Sequence, residues 1–305
     1  MTPPELDIRQ LEWHIEAAIR EDLGPGDLTS QAIVPPEAMA RGTFVARQPG
    51  VLAGAPILAP VFQRIDPAVS VGLLKGDGDD LAKGDAIAAV RGPALAVLSG
   101  ERVALNFLQR LSGIATTTRR FVQRVARYGV KILDTRKTLP GWRYLSKYAV
   151  LAGGGANHRM GLYDQVLIKD NHLVVAERRW PGRAIAGAVE AARAAAPPGT
   201  LVEVEADTLD QVRQALDAGA DAILLDNMTD DEMRQAAALA RAPRQARGAL
   251  SLSKGARSPH PFLEASGGVT EERVEAIART GVDWISVGAL THSAPALDIA
   301  LDFER

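Results

Sequence analysis

Between Lys131 and Val287 the chain alternates short apolar runs with Ala-rich amphipathic stretches, and this alternation narrows the available folds more than anything else in it. Strands are predicted at 131–134, 166–169, 201–205, 222–225, 262–265 and 284–287, with helices at 183–196, 208–218, 229–241 and 270–280. A strand followed by a helix returns to the same edge as a parallel neighbour, so the repeat implies a parallel sheet with helices outside. Barrels gather the C-terminal ends of their strands at one mouth, and the residues just past those ends are not random here. In order they are Arg136 and Lys137, Lys169, Glu205, Asp226, Ser266-Gly267-Gly268, and Gly288. Cations come first, carboxylates next, glycines last. This favours a closed α/β barrel over an open sheet.

The N-terminal part reads differently. Residues 6–21 have Leu11, Ile15, Ala18 and Ile19 at helical spacing, and Leu23-Gly24-Pro25-Gly26-Asp27 ends that helix. From about Ala40 to Leu98 short β-runs are cut by Gly and Pro. The DGDDLAKGDAIAAV stretch has the turn grammar of a lipoyl-type barrel, but Lys75 and Lys83 lack the hairpin-tip setting of a modified lysine, so a scaffold role is the better reading. Helical pattern returns at Gly100, with Val103, Phe107, Leu108 and Leu111 on one face, and a second helix is expected to run to Gly129. The expected division is an N-terminal α+β domain at 1–118 and a barrel at 119–305, with 290–305 free to pack back on the first. One segment, 241–261, breaks the rhythm: Arg241, Arg244, Arg247, Lys254 and Arg257 occur with no acid. It reads as a solvated surface insertion, a nucleic-acid arm being the alternative.

Charge then points to a substrate. From Arg136 to Lys169 the chain carries Arg136, Lys137, Arg143, Lys147, Arg159 and Lys169 against Asp164 alone, although the whole chain has a net charge of -2. A local cationic excess beside strand ends suits a small, multiply anionic ligand. The near-neutral balance and pI of about 6.2 argue against duplex nucleic acid as a partner. With no cysteine, disulfides and thiolate metal sites are excluded. The N-terminus has no apolar signal core and no run reaches the ~18 apolar residues of a membrane span. A soluble cytoplasmic protein with no membrane partner is expected. Glycine turns at 264–269 and 286–293 that lead into helices would expose backbone N–H groups to a phosphate.

Each residue also has a plainer role open to it. A strand-end acid such as Asp226 is commonly a loop or capping residue, Lys169 could extend from a buried strand to solvent, and His158 alone suits a structural hydrogen bonder. Glu203, Glu205 and Asp207 fall on one side of their strand, and some could pair with outer helices.

TRKT (135–138), GGGANHRMGLYD (153–164), IKDNH (168–172), VEVEAD (202–207), ILLDNM (223–228), EASGGV (264–269) and SVGALTHS (286–293) together resemble the quinolinate phosphoribosyltransferases. EDLGPGDLTS (21–30) and GERVALNFLQRLSGIAT (100–116) extend the likeness through nearly the whole chain. The resemblance implies an irregular α/β barrel with an N-terminal α+β sandwich-like domain, and transfer of ribosyl phosphate from 5-phosphoribosyl-1-pyrophosphate to quinolinate with loss of carbon dioxide, for NAD synthesis. It implies Mg²⁺ bound with the phosphoribosyl donor, no organic cofactor, and homodimers with shared active sites, hexamers in some members. By motif, Arg102 would be lent by the partner subunit. Arg136, His158 and Arg159 would hold the quinolinate carboxylates, with Thr135 alongside. Lys137 and Lys169 would contact both substrates, while Glu205 and Asp226 would face the ribose and Mg²⁺. Ser266, Gly267 and Gly268 with Val287, Gly288 and Ala289 would cradle the 5-phosphate. A same-fold enzyme acting on another pyridine and a Schiff-base aldolase using Lys169 are the rival readings.

Overall fold

A computed structural model describes residues 5–242 and 260–304. In chain order its elements begin with α1 (Glu12–Leu23), α2 (Leu28–Ile33), β1 (Met39–Ala46), β2 (Gly50–Val51) and α3 (Leu58–Ile65). Then come β3 (Ser70–Leu73), β4 (Asp80–Leu81), β5 (Ala86–Pro93) and the long α4 (Ala94–Val125). The strand–helix repeat follows: β6 (Lys131–Leu133), α5 (Arg143–Ala152), β7 (Val166–Ile168), α6 (Asp170–Arg179), α7 (Ala184–Ala195), β8 (Val202–Ala206), α8 (Leu209–Asp217), β9 (Ala222–Asp226) and α9 (Asp230–Arg241). It closes with β10 (Phe262–Ser266), α10 (Val274–Ala278), β11 (Trp284–Ser286), α11 (Ala289–His292) and β12 (Ile299–Phe303).

The chain divides into two compact units. One comprises Met1–Arg119, Thr138–Gly155 and Ala289–Arg305; the other comprises Arg120–Lys137 and Ala156–Gly288. The first cut lies inside α4, one residue from the 118/119 boundary read from the sequence. Residues 138–155, expected in the barrel, group instead with the N-terminal unit. Their side chains explain it: the Tyr148 hydroxyl donates to Asp77 at 2.6 Å, and the Tyr144 hydroxyl accepts from the Asp7 backbone N–H at 3.1 Å.

In the first unit a four-stranded antiparallel sheet has the order β12-β1-β5-β3. The last strand of the chain thus completes a sheet begun near its start, with Phe44 of β1 opposite Leu301. The stretch expected to be wholly β also contains α3, because Leu58, Val61 and Phe62 sit at helical spacing and bury together. Phe62 meets Phe44 edge-on, with ring centroids 6.2 Å apart. Where two helices were expected after Gly100, α4 is continuous for 32 residues. Its central Gly113 is not a break but a packing site. A Cβ there would lie 2.0 Å from the Pro295 carbonyl oxygen, so only glycine lets the C-terminal segment lie against the helix. Arg110 on the same helix donates to the Thr291 and Ala294 carbonyls, each at 2.5 Å.

The second unit is a six-stranded parallel sheet in the order β6-β11-β10-β9-β8-β7, and every strand predicted from the apolar runs is present within a residue or two. On the free edge of β6, Leu133 makes a single parallel bridge to Ala156. Among the described residues no pairing joins β7 to β6, so the sheet is open between these two strands where a closed barrel was expected. Helix starts follow ordinary capping chemistry: Thr208 with Gln211 opens α8, and Thr229 with Glu232 opens α9. The helix expected at 270–280 is cut to α10, preceded by turns. Of the basic 241–261 insertion, Arg241 ends α9, while 243–259, with Arg244, Arg247, Lys254 and Arg257, lie outside the described residues. No helix among the described residues is long and apolar enough to cross a membrane.

Candidate active site

Strand register explains why charged side chains meet inside the second unit. In β8 (VEVEA) every residue is buried, but alternation sends Val202, Val204 and Ala206 one way and Glu203 and Glu205 the other. Parallel pairing sets Glu203 beside Ala222, Glu205 and Glu264 each beside Leu224, and Asp226 beside Ser266. Ile168 pairs with Val204, so Lys169, one residue on, follows the Glu205 side. A single face of the sheet therefore carries Lys169, Glu203, Glu205, Asp226, Glu264 and Ser266. Burial resolves the order along β8: Glu203 is fully buried, Glu205 nearly so, and Asp207 is exposed at the rim.

At one end of this face stand the arginines. Arg159 is only 8 % exposed. Burial depresses its guanidinium, and the neighbouring charge of Arg136 depresses it further, partly offset by Glu203 and Asp164. Two guanidiniums kept close and partly out of water are costly alone and ready for a dianion. Arg159 Nη1 donates to the Gln165 carbonyl at 3.3 Å, and Gln165 Nε2 donates to Glu203 at 2.7 Å. Thr135 Oγ1 accepts from the backbone N–H of Lys137 at 3.0 Å, shaping the turn in which Lys137 is exposed.

His158 is placed differently from what its motif implies. Its side chain is buried, with Nε2 3.2 Å from Glu203 and 3.4 Å from Glu264. Its Nδ1 accepts the backbone N–H of Arg159 at 2.7 Å, and its own N–H donates to the fully buried Asp134 at 3.0 Å. Both ring nitrogens are thus engaged inside the protein, leaving neither to grip a substrate carboxylate. Burial opposes a charged ring, whereas hydrogen bonds to Glu203 and Glu264 and their charges outweigh it and draw a proton in. The Arg159 N–H decides where that proton is not: an imidazolium would set two hydrogens against each other at 2.7 Å. This geometry gives Nδ1 the acceptor's role and leaves Nε2 to turn its N–H toward Glu203 and Glu264, while burial and then the Glu264 charge push Glu203 upward.

At the other end Lys169 contacts Glu205 in a close ion pair and caps α6. Asp226 is raised by burial first, then by the charges of Glu205 and Asp207. Asn227 Nδ2 donates to Asp226 at 2.8 Å, and the Asn227 N–H donates to the Ser266 carbonyl at 3.0 Å. Gly267 then turns with φ +87°, where a Cβ would fall 2.1 Å from Asn227 Oδ1. Ser266 and Gly267 thus lie against the Asp226–Asn227 turn, and Gly268 follows near Arg273. Carboxylates that repel one another, with hard oxygen donors, fit a magnesium ion. The tightest His/Asp/Glu grouping among the described residues is another one, His158 with Glu203 and Glu264.

Not every expected residue joins this set. Arg102 is exposed on α4 and belongs, with Ala289, to the first unit. The Val287 N–H already donates to the Leu133 carbonyl at 2.9 Å, so that amide serves the sheet rather than a phosphate. Gly288 follows it within the second unit. Three participants in the buried network, Asp134, Gln165 and Glu264, were not singled out from the sequence; an acid inside the apolar FLEAS strand was the one available signal. A cleft of about 270 Å³, lined by Tyr128, Lys131, Arg241, Phe262 and Trp284, lies at the N-terminal strand ends, away from this chemistry. Of the rival readings, Schiff-base chemistry wants an amine in apolar surroundings, and Lys169 has a carboxylate instead. Lys75 is ion-paired with Asp85 at 3.0 Å.

Sequence comparison bears on the same residues. The domain described as "Quinolinate phosphoribosyl transferase, C-terminal domain" matches residues 114–302, and the corresponding N-terminal domain matches 27–112. The chain belongs to the quinolinate phosphoribosyltransferase family. It is 47 % identical over 293 residues to a Bacillus subtilis protein named as a probable nicotinate-nucleotide pyrophosphorylase (carboxylating), covering 96 % of this chain and 93 % of that one. Among solved structures, the nicotinate-nucleotide pyrophosphorylase of Francisella tularensis superposes with a TM-score of 0.85 at 32 % identity, covering 100 % of this chain and 99 % of that one. NadC from Streptococcus pyogenes superposes with a TM-score of 0.86 at 34 % identity, covering 99 % of each. The α+β unit followed by a parallel α/β unit is thus the family's fold.

Proposed function

We propose that this quinolinate phosphoribosyltransferase is a carboxylating nicotinate-nucleotide diphosphorylase, joining quinolinate to 5-phosphoribosyl-1-pyrophosphate in NAD synthesis. The observation that carries the reading is one sheet face with half-buried Arg136 and buried Arg159 at one end and Lys169, Glu205 and Asp226 at the other. Arg136 and Arg159 hold the two carboxylates of quinolinate, arginine offering each a two-pronged fit. Lys137 and Lys169 supply point charges to carboxylate and phosphate, with Thr135 beside them. Ser266, Gly267, Gly268 and Gly288 line the 5-phosphate.

The pyridine nitrogen attacks C1 of the ribose as the C1–O bond to pyrophosphate breaks, and the bonding pair leaves on pyrophosphate. Glu205 and Asp226 stabilise the positive character that develops at C1. The new pyridinium then accepts the electron pair of the adjacent C–CO₂ bond; carbon dioxide leaves, and a solvent proton takes its place on the ring. No protein nucleophile takes part. Glu205 and Asp226 would also hold a magnesium ion, which when bound with the donor offsets charge on its phosphates. Arg102 reaches the active site of the partner subunit in a homodimer.

The test is release of labelled carbon dioxide from quinolinate. It should require both 5-phosphoribosyl-1-pyrophosphate and Mg²⁺ and should match pyrophosphate formed one for one. Release without the donor, or turnover of nicotinate in place of quinolinate, would refute the reading and favour the same-fold relative.

A further inference from the structure

Glu203 and Glu264 are fully buried carboxylates on β8 and β10, and the reaction proposed above uses neither. Among the described residues, and apart from the His158 ring, neither oxygen of Glu264, nor Oε1 of Glu203, has a hydrogen-bond partner. Burying two carboxylates this way is costly and builds no ordinary core. What lies against both is the Nε2 edge of His158, at 3.2 and 3.4 Å. The ring's opposite edge accepts the Arg159 N–H at 2.7 Å. From Arg159 the path closes on itself: Nη1 reaches the Gln165 carbonyl, and the Gln165 amide returns to Glu203. Arg159 is thereby gripped at its backbone and at its guanidinium by one loop of contacts ending on the same carboxylate.

We propose that Glu203 and Glu264 are positioning residues that seat the His158 ring and, through it and Gln165, hold Arg159 in the orientation that receives quinolinate. His158 is then a strut behind the binding residue. A lone arginine has many rotamers and loses binding energy if it must be ordered by the ligand; a preformed clamp avoids that loss. The alternative, a metal ion held by His158, Glu203 and Glu264, is disfavoured because Gln165 and the imidazole already point donors at Glu203 and the Arg159 cation adjoins it.

The inference rests on Arg159 as the quinolinate ligand, so Arg159→Ala is the companion control. Glu264→Leu should raise the quinolinate KM by up to about a hundredfold, the cost of a misplaced binding group, with kcat and the KM for the phosphoribosyl donor little changed. Glu264→Gln keeps an acceptor for Nε2–H and should restore most of the affinity. A Leu variant with the parent's quinolinate KM, or Gln and Leu variants equally impaired, would overturn the proposal. If Arg159→Ala itself leaves quinolinate binding intact, the substrate assignment fails instead. An independent reading comes from nitrogen-15 NMR of labelled histidine, tractable with five histidines and His158→Asn to assign the signal. The parent should show His158 as the Nε2–H tautomer without any substrate; an Nδ1–H ring would overturn the proposal even if the Leu variant fails to fold. A stoichiometric transition metal retained through dialysis and lost in Glu264→Gln would also overturn it.

Discussion

Removing the Arg159 guanidinium is the sharpest perturbation of the proposed site, because its environment allows the size of the effect to be reasoned out. The group is almost wholly buried, so water contributes little to screening its pairing with a carboxylate. Truncating one partner of a desolvated charge pair costs about 2–5 kcal/mol. Arg136 remains beside it and keeps the substrate from being left entirely unpaired, which places Arg159→Ala near the lower end, about 2–3 kcal/mol. At about 1.4 kcal/mol per decade this is a roughly thirty- to hundredfold loss of quinolinate affinity. The free enzyme should not lose stability in proportion, since the substitution also relieves repulsion between two cations held partly out of water. Equilibrium binding of quinolinate by calorimetry, beside a thermal melt of the free protein, reads both effects. Unchanged affinity would refute the assignment, and an affinity loss accompanied by a matching fall in melting temperature would show that Arg159 acts through folding.

Glu205→Ala and Asp226→Ala should lower kcat far more than they weaken either substrate, because they act on charge that exists only as the C1–O bond breaks; initial rates showing a pure KM defect would count against them. Arg102→Ala and Asp226→Ala enzymes, each nearly inactive, should recover part of the activity when mixed and allowed to exchange subunits, since one site in the heterodimer would be intact. Persistent inactivity in subunits shown to exchange would argue against a shared site. Gly267→Ala should destabilise by about 1–3 kcal/mol, because φ is +87° and the new Cβ would strike Asn227. It should also raise the KM for the phosphoribosyl donor, and a variant with parental melting temperature and kinetics would show that the turn is not what shapes the phosphate loop.

Much of the second unit was legible in advance. Its strands are short, apolar and bounded by turns, and a parallel sheet buried on both faces leaves that signature directly in the sequence. The first unit was less legible. α3 lies in a Pro- and Gly-punctuated stretch that reads as β, and its helical spacing becomes decisive only when Phe62 has Phe44 to pack against. The close pass of Pro295, far off in the chain, over Gly113 of α4 likewise leaves no mark in the local pattern.

By itself the amino-acid order determined the alternation of strands and helices, the family, and which charged residues stand at strand ends, because these follow from local periodicity and from motif. Only the tertiary structure decided which of Glu203, Glu205 and Asp207 is buried, that Glu264 meets Glu203 across an intervening strand, and that His158 faces inward rather than toward a ligand. Burial and hydrogen-bond partnership come from atoms far apart in the chain, as His158 is from Glu264. No periodicity records them.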